Sequence, residues 1–226
     1  MPLYASGVAV ELKSDPTPVT LADRRAGEAM REFIARECPG HGLLGEEFGE
    51  QSGDSRYRWV LDPIDGTKAF IHHVPLFGTL VGLEEDGVIA CHAVGETIWG
   101  AKEQGAWLNG ERARVSDSEE LATATIATTS FQRQQAMHPA GFARMCNEVG
   151  LLRTWGDCFG YLQVGAGRAE GMLDPEMNHW DVAALYPVIT EAGGTITTWT
   201  GEPGPGDSAI ASNGRLHAAI LELVNT

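Results

Sequence analysis

The run Trp59-Val60-Leu61-Asp62-Pro63-Ile64-Asp65-Gly66-Thr67 constrains this chain more than any other stretch. It reads as an apolar strand that stops at Leu61 in a turn carrying two carboxylates, a proline, a glycine and a hydroxyl. Pro63 sets one φ and Gly66 lets the path bend sharply, so both carboxylates can face one point. Two anions held close together cost free energy unless a cation or a proton lies between them, and hard oxygen donors favour Mg²⁺ or a similar ion. The N–H groups of Gly66 and Thr67, ahead of the helix-compatible Lys68-Ala69-Phe70-Ile71, suit an anion at a helix start. The same residues also suit an ordinary Asx-type turn that caps a helix, and the run by itself leaves both open.

Composition narrows the setting. A chain of 226 residues with 43% hydrophobic and 21% charged residues has enough material for a sizeable core. Its formal charge of −15 argues against a nucleic-acid surface, while a phosphorylated small molecule remains compatible through divalent cations. No apolar run approaches a membrane span and no leader pattern opens the chain, so a cytoplasmic protein with no membrane partner is expected. Cys38, Cys91, Cys146 and Cys158 lack C-x-x-C spacing and read as reduced thiols, mostly small core fillers.

Along the chain, Val8 to Lys13 suits a short strand or a loop edge, and Ser14-Asp15-Pro16-Thr17-Pro18 breaks regular structure before a helix opened by Thr20 and Asp23. Ala26, Met30, Phe33 and Ile34 share one face of that helix, which ends near Pro39-Gly40. A short strand at 43–45 runs into Glu46-Glu47. A hairpin follows over 77–83 and 88–94, then strands over 97–100 and 105–108, with Asn109-Gly110 as a primed turn. The first half therefore reads as a helix against an antiparallel sheet. After the acidic 116–120 segment the pattern alternates: strand 125–129, helix within 139–149, strand 151–154, helix 161–166, strand 169–173 and helix 182–192, which stops at Gly193-Gly194. A strand over 195–198, a surface loop over 201–206, a strand over 207–211 and a helix over 215–224 close the chain. The division expected is an N-terminal α+β half, 1–120, and a C-terminal α/β half, 121–226, in one compact unit.

Acidic residues recur at element ends: Asp23, Glu46, the pair Asp62 and Asp65, and Asp181. Asp23 and Asp181 suit helix caps, and His72, His73 and His179 suit surface or packing roles. Taken together, Gly45-Glu46-Glu47, Asp62-Pro63-Ile64-Asp65-Gly66-Thr67 and Trp180-Asp181-Val182-Ala183-Ala184 with Glu191-Ala192-Gly193-Gly194 resemble, in order, the three signatures of the inositol monophosphatase superfamily. The resemblance runs from Lys13 to the C-terminal helix. It implies an α/β (α+β) fold, the layered αβαβα sandwich shared with fructose-1,6-bisphosphatase, in a Mg²⁺-dependent and usually dimeric phosphomonoesterase. Carried over by position, it makes Glu46, Asp62, the Ile64 carbonyl, Asp65 and Asp181 ligands of two or three Mg²⁺ ions, with Mn²⁺ a substitute. It makes Thr67 the residue that orients the attacking water, with Glu46 or Asp23 as its carboxylate partner, and it places phosphate oxygens on the Gly66 and Thr67 N–H groups. A non-catalytic binding protein on this fold would be free to lose one of these residues, and none is missing.

The tract Lys68-Ala69-Phe70-Ile71 with Pro75-Leu76-Phe77-Gly78-Thr79-Leu80, and the tract Gly156-Asp157-Cys158-Phe159-Gly160-Tyr161, resemble the histidinol-phosphatase branch of the superfamily. That branch implies hydrolysis of L-histidinol phosphate, with Asp157, Asp174 and Asp181 among the substrate contacts. The charge argument agrees, since histidinol carries an ammonium that carboxylates stabilise, whereas a neutral polyol gains little. The alternative is an inositol-1-phosphate or broad sugar-phosphate phosphatase. The resemblance also implies an N-terminal helix of which Met1 to Tyr4 match only the end, so an exposed apolar seam is expected where that helix would lie.

Overall fold

The computed structural model describes Tyr4 and residues 10–12, 18–83 and 86–225, with 10–12 and 18–20 described by backbone alone. Expectations for 1–3, for Val8, Ala9 and Lys13, and for the 14–17 segment lie outside the described residues. Within 10–20, β1 (Val10–Leu12) and β2 (Pro18–Thr20) pair antiparallel ahead of α1 (Leu21–Glu37).

The first sheet has eight strands. In spatial order they are β10 (Glu111–Ala113), β9 (Gly105–Leu108), β8 (Glu96–Ala101), β7 (Asp86–Cys91), β6 (Gly78–Leu83), β5 (Arg58–Asp65), β3 (Gly42–Gly45) and β4 (Gly49–Gln51). Asn109 and Gly110 both take positive φ, 48° and 89°, as a primed turn requires. The sheet is not wholly antiparallel. β4 folds back on β3, the chain returns through the 52–57 loop, and β5 then enters parallel to β3. The second sheet has five strands, in the order β12 (Leu151–Arg153), β11 (Thr125–Thr128), β13 (Gly171–Asp174), β15 (Ala209–Ser212) and β14 (Thr195–Thr197). β11 runs parallel to β12 and β13, whereas β15 is antiparallel to both of its neighbours.

Alternation along the strands stacks these sheets into five layers. Leu61 packs with Ile34 and Met30 of α1, while Leu80, Ile89 and Ile98 face the other way, onto α5 (Asp157–Gly165) and α7 (Leu185–Glu191). Those two helices meet the second sheet through Ala127, Met172, Ala209 and Ala211. The adjacent residues Ile126, Leu173 and Ile210 point to its far face, onto α4 (Pro139–Glu148) and α8 (His217–Asn225). The order is thus α, β, α, β, α. The central helices lie close against the first sheet: a Cβ on Gly87 would stand 2.2 Å from the Ala184 carbonyl oxygen.

Several element boundaries depart from expectation. The strand expected to stop at Leu61 continues to Asp65. The strand expected over 88–94 ends at Cys91. The helix expected over 161–166 begins at Asp157; Gly160, which suggests a break, is there because a Cβ would lie 2.3 Å from Met172 Sδ. The helix expected over 182–192 is split into α6 (His179–Val182) and α7. Pro187 accounts for the gap, since its ring would clash with the Ala183 carbonyl of a continuous helix. α3 (Phe131–Met137) was not anticipated, because its polar sequence carries little periodicity and it is held by a buried glutamine, Gln134. Cys91 and Cys158 are buried, Cys38 is half-buried and Cys146 is exposed, all as free thiols.

Candidate active site

Asp62 and Asp65 are brought to one side by a defect in pairing. Asp62 lies opposite Leu80 and Asp65 opposite Gly78, so three steps along β5 match two along β6. In a regular strand, residues three apart point to opposite faces; the extra residue of this bulge returns both carboxylates to the same face. Pro63 fits there because a bulge spares it the ladder donor it lacks, and its carbonyl accepts from Thr79 Oγ1 at 2.8 Å. The chain then turns at Gly66, with φ 85° in the left-handed region, and starts α2 (Thr67–Ile71).

Asp181 completes a set of three. Donor atoms of Asp62, Asp65 and Asp181 lie within 4.8 Å of one another. Asp181 is fixed from α6, where its Oδ2 accepts the Asn178 backbone N–H at 2.8 Å in a capping box. Glu46 follows β3, holds the Leu61 carbonyl through its backbone N–H and lines the same cleft. Asp23, in the first turn of α1, is 1% exposed, with Oδ1 3.5 Å from Thr67 Oγ1. The Thr67 hydroxyl also lies 3.1 Å from the Ile64 carbonyl oxygen.

Among the described residues, carboxylates outnumber cations at this cleft, which Lys68 and Arg133 also line. Burial, then the charges of Asp65, Glu46 and Asp181, push the Asp62 carboxyl well above the usual range, although it accepts the Ile64 N–H at 3.1 Å. Asp65 is likewise raised, by burial and then by Asp157 and Asp181, against the backbone N–H that Cys158 donates to it. A set of hard oxygen donors converging on one point, with Asp62 only 2% exposed, fits a divalent cation.

Across the cleft, Asp157 enters α5 with φ 53°, a left-handed conformation that aspartate tolerates, and its N–H is held by Thr129 Oγ1 at 2.9 Å. Asp174, at the end of β13, accepts the Thr129 N–H at 3.2 Å and the Tyr161 hydroxyl at 3.1 Å. Burial raises Asp174 to about 6 against those two hydrogen bonds. It raises Asp157 to about 7, helped by Asp174 and Asp181 and opposed by Lys68. These groups line one cleft of about 560 Å³, which takes in Glu46, Asp62, Asp65, Asp157, Asp174 and Asp181. A larger cleft, about 880 Å³, opens beside β4, β5 and α7. Its acidic side chains are spread apart, Glu50 paired with Arg58 and Glu191 with the N–H groups of Glu103 and Gly105, whereas the three converging carboxylates lie in the smaller cleft.

Thr129, Tyr161, Arg133 and Glu176 are placed at this cleft without having been singled out from sequence. Thr129 read only as the end of the strand expected over 125–129. Tyr161 closes the 156–161 tract but carried no role of its own, and Arg133 and Glu176 carried no signal. His72, His73 and His179 are exposed and stand apart from the carboxylate set. Among the described residues, no helix is long and apolar enough to cross a membrane.

Comparison with known proteins agrees with this architecture. Over 222 residues the chain is 39% identical to a histidinol-phosphatase of Chlorobaculum parvum, covering 94% of this chain and 85% of that one. It is 35% identical over 223 residues to a fructose-1,6-bisphosphatase/inositol-1-monophosphatase of Aquifex aeolicus, covering 95% and 84%. Among solved structures, the extragenic suppressor protein suhB of Bartonella henselae superposes with a TM-score of 0.92 at 28% identity, covering 99% of this chain and 91% of that one. The model of the inositol monophosphatase family matches residues 3–226, and with the bulged carboxylate strand and the five-layer sandwich in place, the chain belongs to that family.

Proposed function

We propose that this protein is a Mg²⁺-dependent phosphomonoesterase that hydrolyses L-histidinol phosphate to L-histidinol and phosphate. The observation that carries the substrate assignment is the carboxylate pair Asp157 and Asp174 on the wall facing the carboxylate set, a setting that favours an ammonium over a neutral polyol. The relatives support it: three histidinol-phosphatases are 36–39% identical, against 31–33% for two inositol-1-monophosphatases.

Glu46, Asp62, the Ile64 carbonyl, Asp65 and Asp181 are the groups that would hold two or three Mg²⁺ ions, or Mn²⁺ in their place. Bound there, the ions would lower the pKa of a water and neutralise the leaving oxygen. Thr67 directs its hydroxyl hydrogen to Ile64 O or to Asp23, which leaves its lone pairs to accept a hydrogen bond from the attacking water. Glu46 or Asp23 is the carboxylate that takes the water's proton. The N–H groups of Gly66 and Thr67 begin α2, have no acceptor within the helix, and hold phosphate oxygens. Gly66 also keeps this corner open, because a Cβ there would press within 3.2 Å of Asp157 Oδ2. Asp157 and Asp174 receive the substrate ammonium.

The test is phosphate release with and without Mg²⁺ from L-histidinol phosphate, inositol-1-phosphate, fructose-1,6-bisphosphate and a 3′-phosphoadenosine nucleotide. L-Histidinol phosphate is expected to lead the others by at least about tenfold in kcat/KM; a response independent of Mg²⁺ defeats the reading. A second reading, an inositol-1-phosphate or broad sugar-phosphate phosphatase, is favoured by the Aquifex aeolicus relative and wins if the order of that panel inverts. A homodimer and a cytoplasmic location belong to the same proposal, and sedimentation and cell fractionation test them.

A further inference from the structure

The mouth of the cleft is spanned by an ion pair for which neither the cation set nor the ammonium has a use. Arg133 on α3 and Glu176 on the loop between β13 and α6 stand 3.1 Å apart, with side chains 49% and 63% exposed. Both line the cleft. An ion pair so exposed contributes little to stability, so the fold does not require it. Yet the backbone beneath each partner is fixed. The residue after Arg133 is the buried Gln134, whose Nε2 donates to Thr128 Oγ1 at 2.9 Å and to the Leu173 carbonyl at 3.1 Å, tying α3 to the ends of β11 and β13. The Arg133 N–H itself is capped by Ser130 Oγ at 3.2 Å. Glu176 follows the buried Pro175 and precedes Met177, whose N–H is held by the Asp207 carbonyl at 2.7 Å and whose sulfur lies 3.3 Å from the Tyr161 hydroxyl oxygen. Two charged heads are thus carried over an opening on rigid supports.

Glu176 is two residues beyond Asp174, at most about 7 Å of extended chain. Asp174 is buried at the floor of the cleft, and Glu176 is at its rim. Because all three carboxylates line one cleft, a substrate whose ammonium lies at Asp157 and Asp174 can set its ring against the rim. The imidazole of histidinol presents one N–H donor when neutral and two when protonated, and a carboxylate accepts either.

We propose that Glu176 recognises the imidazole ring of the substrate, with Arg133 as the positioning residue that holds the carboxylate over the cleft. The proposal rests on the L-histidinol phosphate assignment and adds the group that distinguishes this substrate from other ammonium-bearing phosphomonoesters. On binding, Glu176 shares its oxygens between the guanidinium and the ring N–H.

The test uses the full chain with Mg²⁺ and three substrates: L-histidinol phosphate, phosphoethanolamine, which keeps the ammonium and lacks the ring, and glycerol phosphate, which lacks both. The unaltered protein is expected to prefer L-histidinol phosphate to phosphoethanolamine. Glu176→Gln should cut that preference about tenfold, through KM with little change in kcat. Arg133→Ala should cut it about threefold, and Arg133→Lys should restore most of it. Arg144→Ala, which breaks a comparable pair with Glu148 on α4, serves as the control and should leave the preference unchanged. Equal losses on all three substrates in the Glu176 and Arg133 variants, or an unchanged preference, overturn the assignment of Glu176. If the unaltered protein shows no preference for the ring, the substrate reading itself falls and this proposal falls with it.

Discussion

Asp62, Ile64 and Asp65 sit together on one bulged strand, whereas Asp157, Asp174, Arg133 and Glu176 come from four separate elements at one end of the second sheet. The two walls of the cleft hold charge in different ways. On the first wall, carboxylates face one another, and burial and mutual repulsion keep Asp62 and Asp65 well above their ordinary range. On the second wall, Asp174 is bonded to Thr129 and Tyr161, and Asp157 is fixed by its backbone N–H. The first wall thus needs a cation, while on the second the protein hydrogen-bonds Asp174 and leaves the Asp157 carboxyl, raised to about 7 by burial, as the group that a substrate cation would stabilise. This division would let the chemistry stay constant while the leaving alcohol is chosen elsewhere.

The largest effect that can break the comparison comes from Asp62→Asn. Catalysis should fall by at least about 10³-fold, since several kcal/mol of charge stabilisation go with the ligand. Stability should move the other way. The native pKa values of Asp62 and Asp65 lie above the ordinary 3.8, so between 3.8 and those values the folded state binds more protons than the unfolded one. The metal-free protein therefore loses stability as pH rises through that window, and Mg²⁺ restores it at neutral pH. Calorimetry should find the metal-free Asn variant melting higher than the unaltered protein at pH 7.5, with a smaller response to added Mg²⁺. A lower melting temperature would show that Asp62 is satisfied by the protein alone, and the contrast between the walls would be lost.

Thr67→Val comes next. The valine keeps the shape but removes the lone pairs that face the water, so kcat should drop about 10²-fold with KM nearly constant, and Thr67→Ser should recover most of the rate. A matching rise in KM would move Thr67 from aiming water to holding phosphate.

The wall that the sequence exposes is the one carried on contiguous residues. Asp62-Pro63-Ile64-Asp65-Gly66-Thr67 is legible because spacing, a proline and a glycine all act within one turn, and the matching tracts around Glu46 and Asp181 fix its partners. Even so, the device that turns both carboxylates to one face is a one-residue bulge between β5 and β6, a property of pairing that neither strand states alone. The five-layer order was legible from the signatures, while the parallel entry of β5 beside β3 was not, because it depends on β4 folding back first. On the second wall, Asp157 could be named, but its left-handed backbone and the Thr129 hydroxyl that fixes it lie 28 residues apart in the chain. Arg133 and Glu176 meet only because Gln134 and Met177 anchor their neighbours.

Asp157→Asn is a smaller perturbation that sharpens the second wall. Asparagine accepts φ 53° as readily as aspartate, so the backbone is spared and only charge is removed. KM should rise about tenfold for L-histidinol phosphate and for phosphoethanolamine and stay level for glycerol phosphate. That pattern separates Asp157 from Glu176, whose loss should act through the ring alone. Equal losses on all three substrates would make Asp157 a structural turn residue.

The smallest effect concerns the same sheet away from the cleft and has the opposite pH sign from the first wall. His217 is 8% exposed, with Nδ1 2.9 Å from Ser212 Oγ and Nε2 3.0 Å from Thr197 Oγ1, and burial lowers its pKa below 6.5. Between 6.5 and the lower native value the unfolded chain binds the extra proton, so the stability His217 supports is present above 6.5 and is lost as pH falls through the native value. As pH falls below 6.5 the His217 contribution to the stability of the metal-free protein should therefore weaken, while protonation of Asp62 and Asp65 acts in the opposite direction. His217→Gln should cost about 1 kcal/mol at pH 8 by disturbing two hydrogen bonds, and it should flatten the slope below pH 6.5 while leaving the carboxylate limb and its Mg²⁺ response in place. Loss of both limbs together in urea titrations across pH would mean that the two sheets share one electrostatic balance, and the separation between the walls would no longer hold.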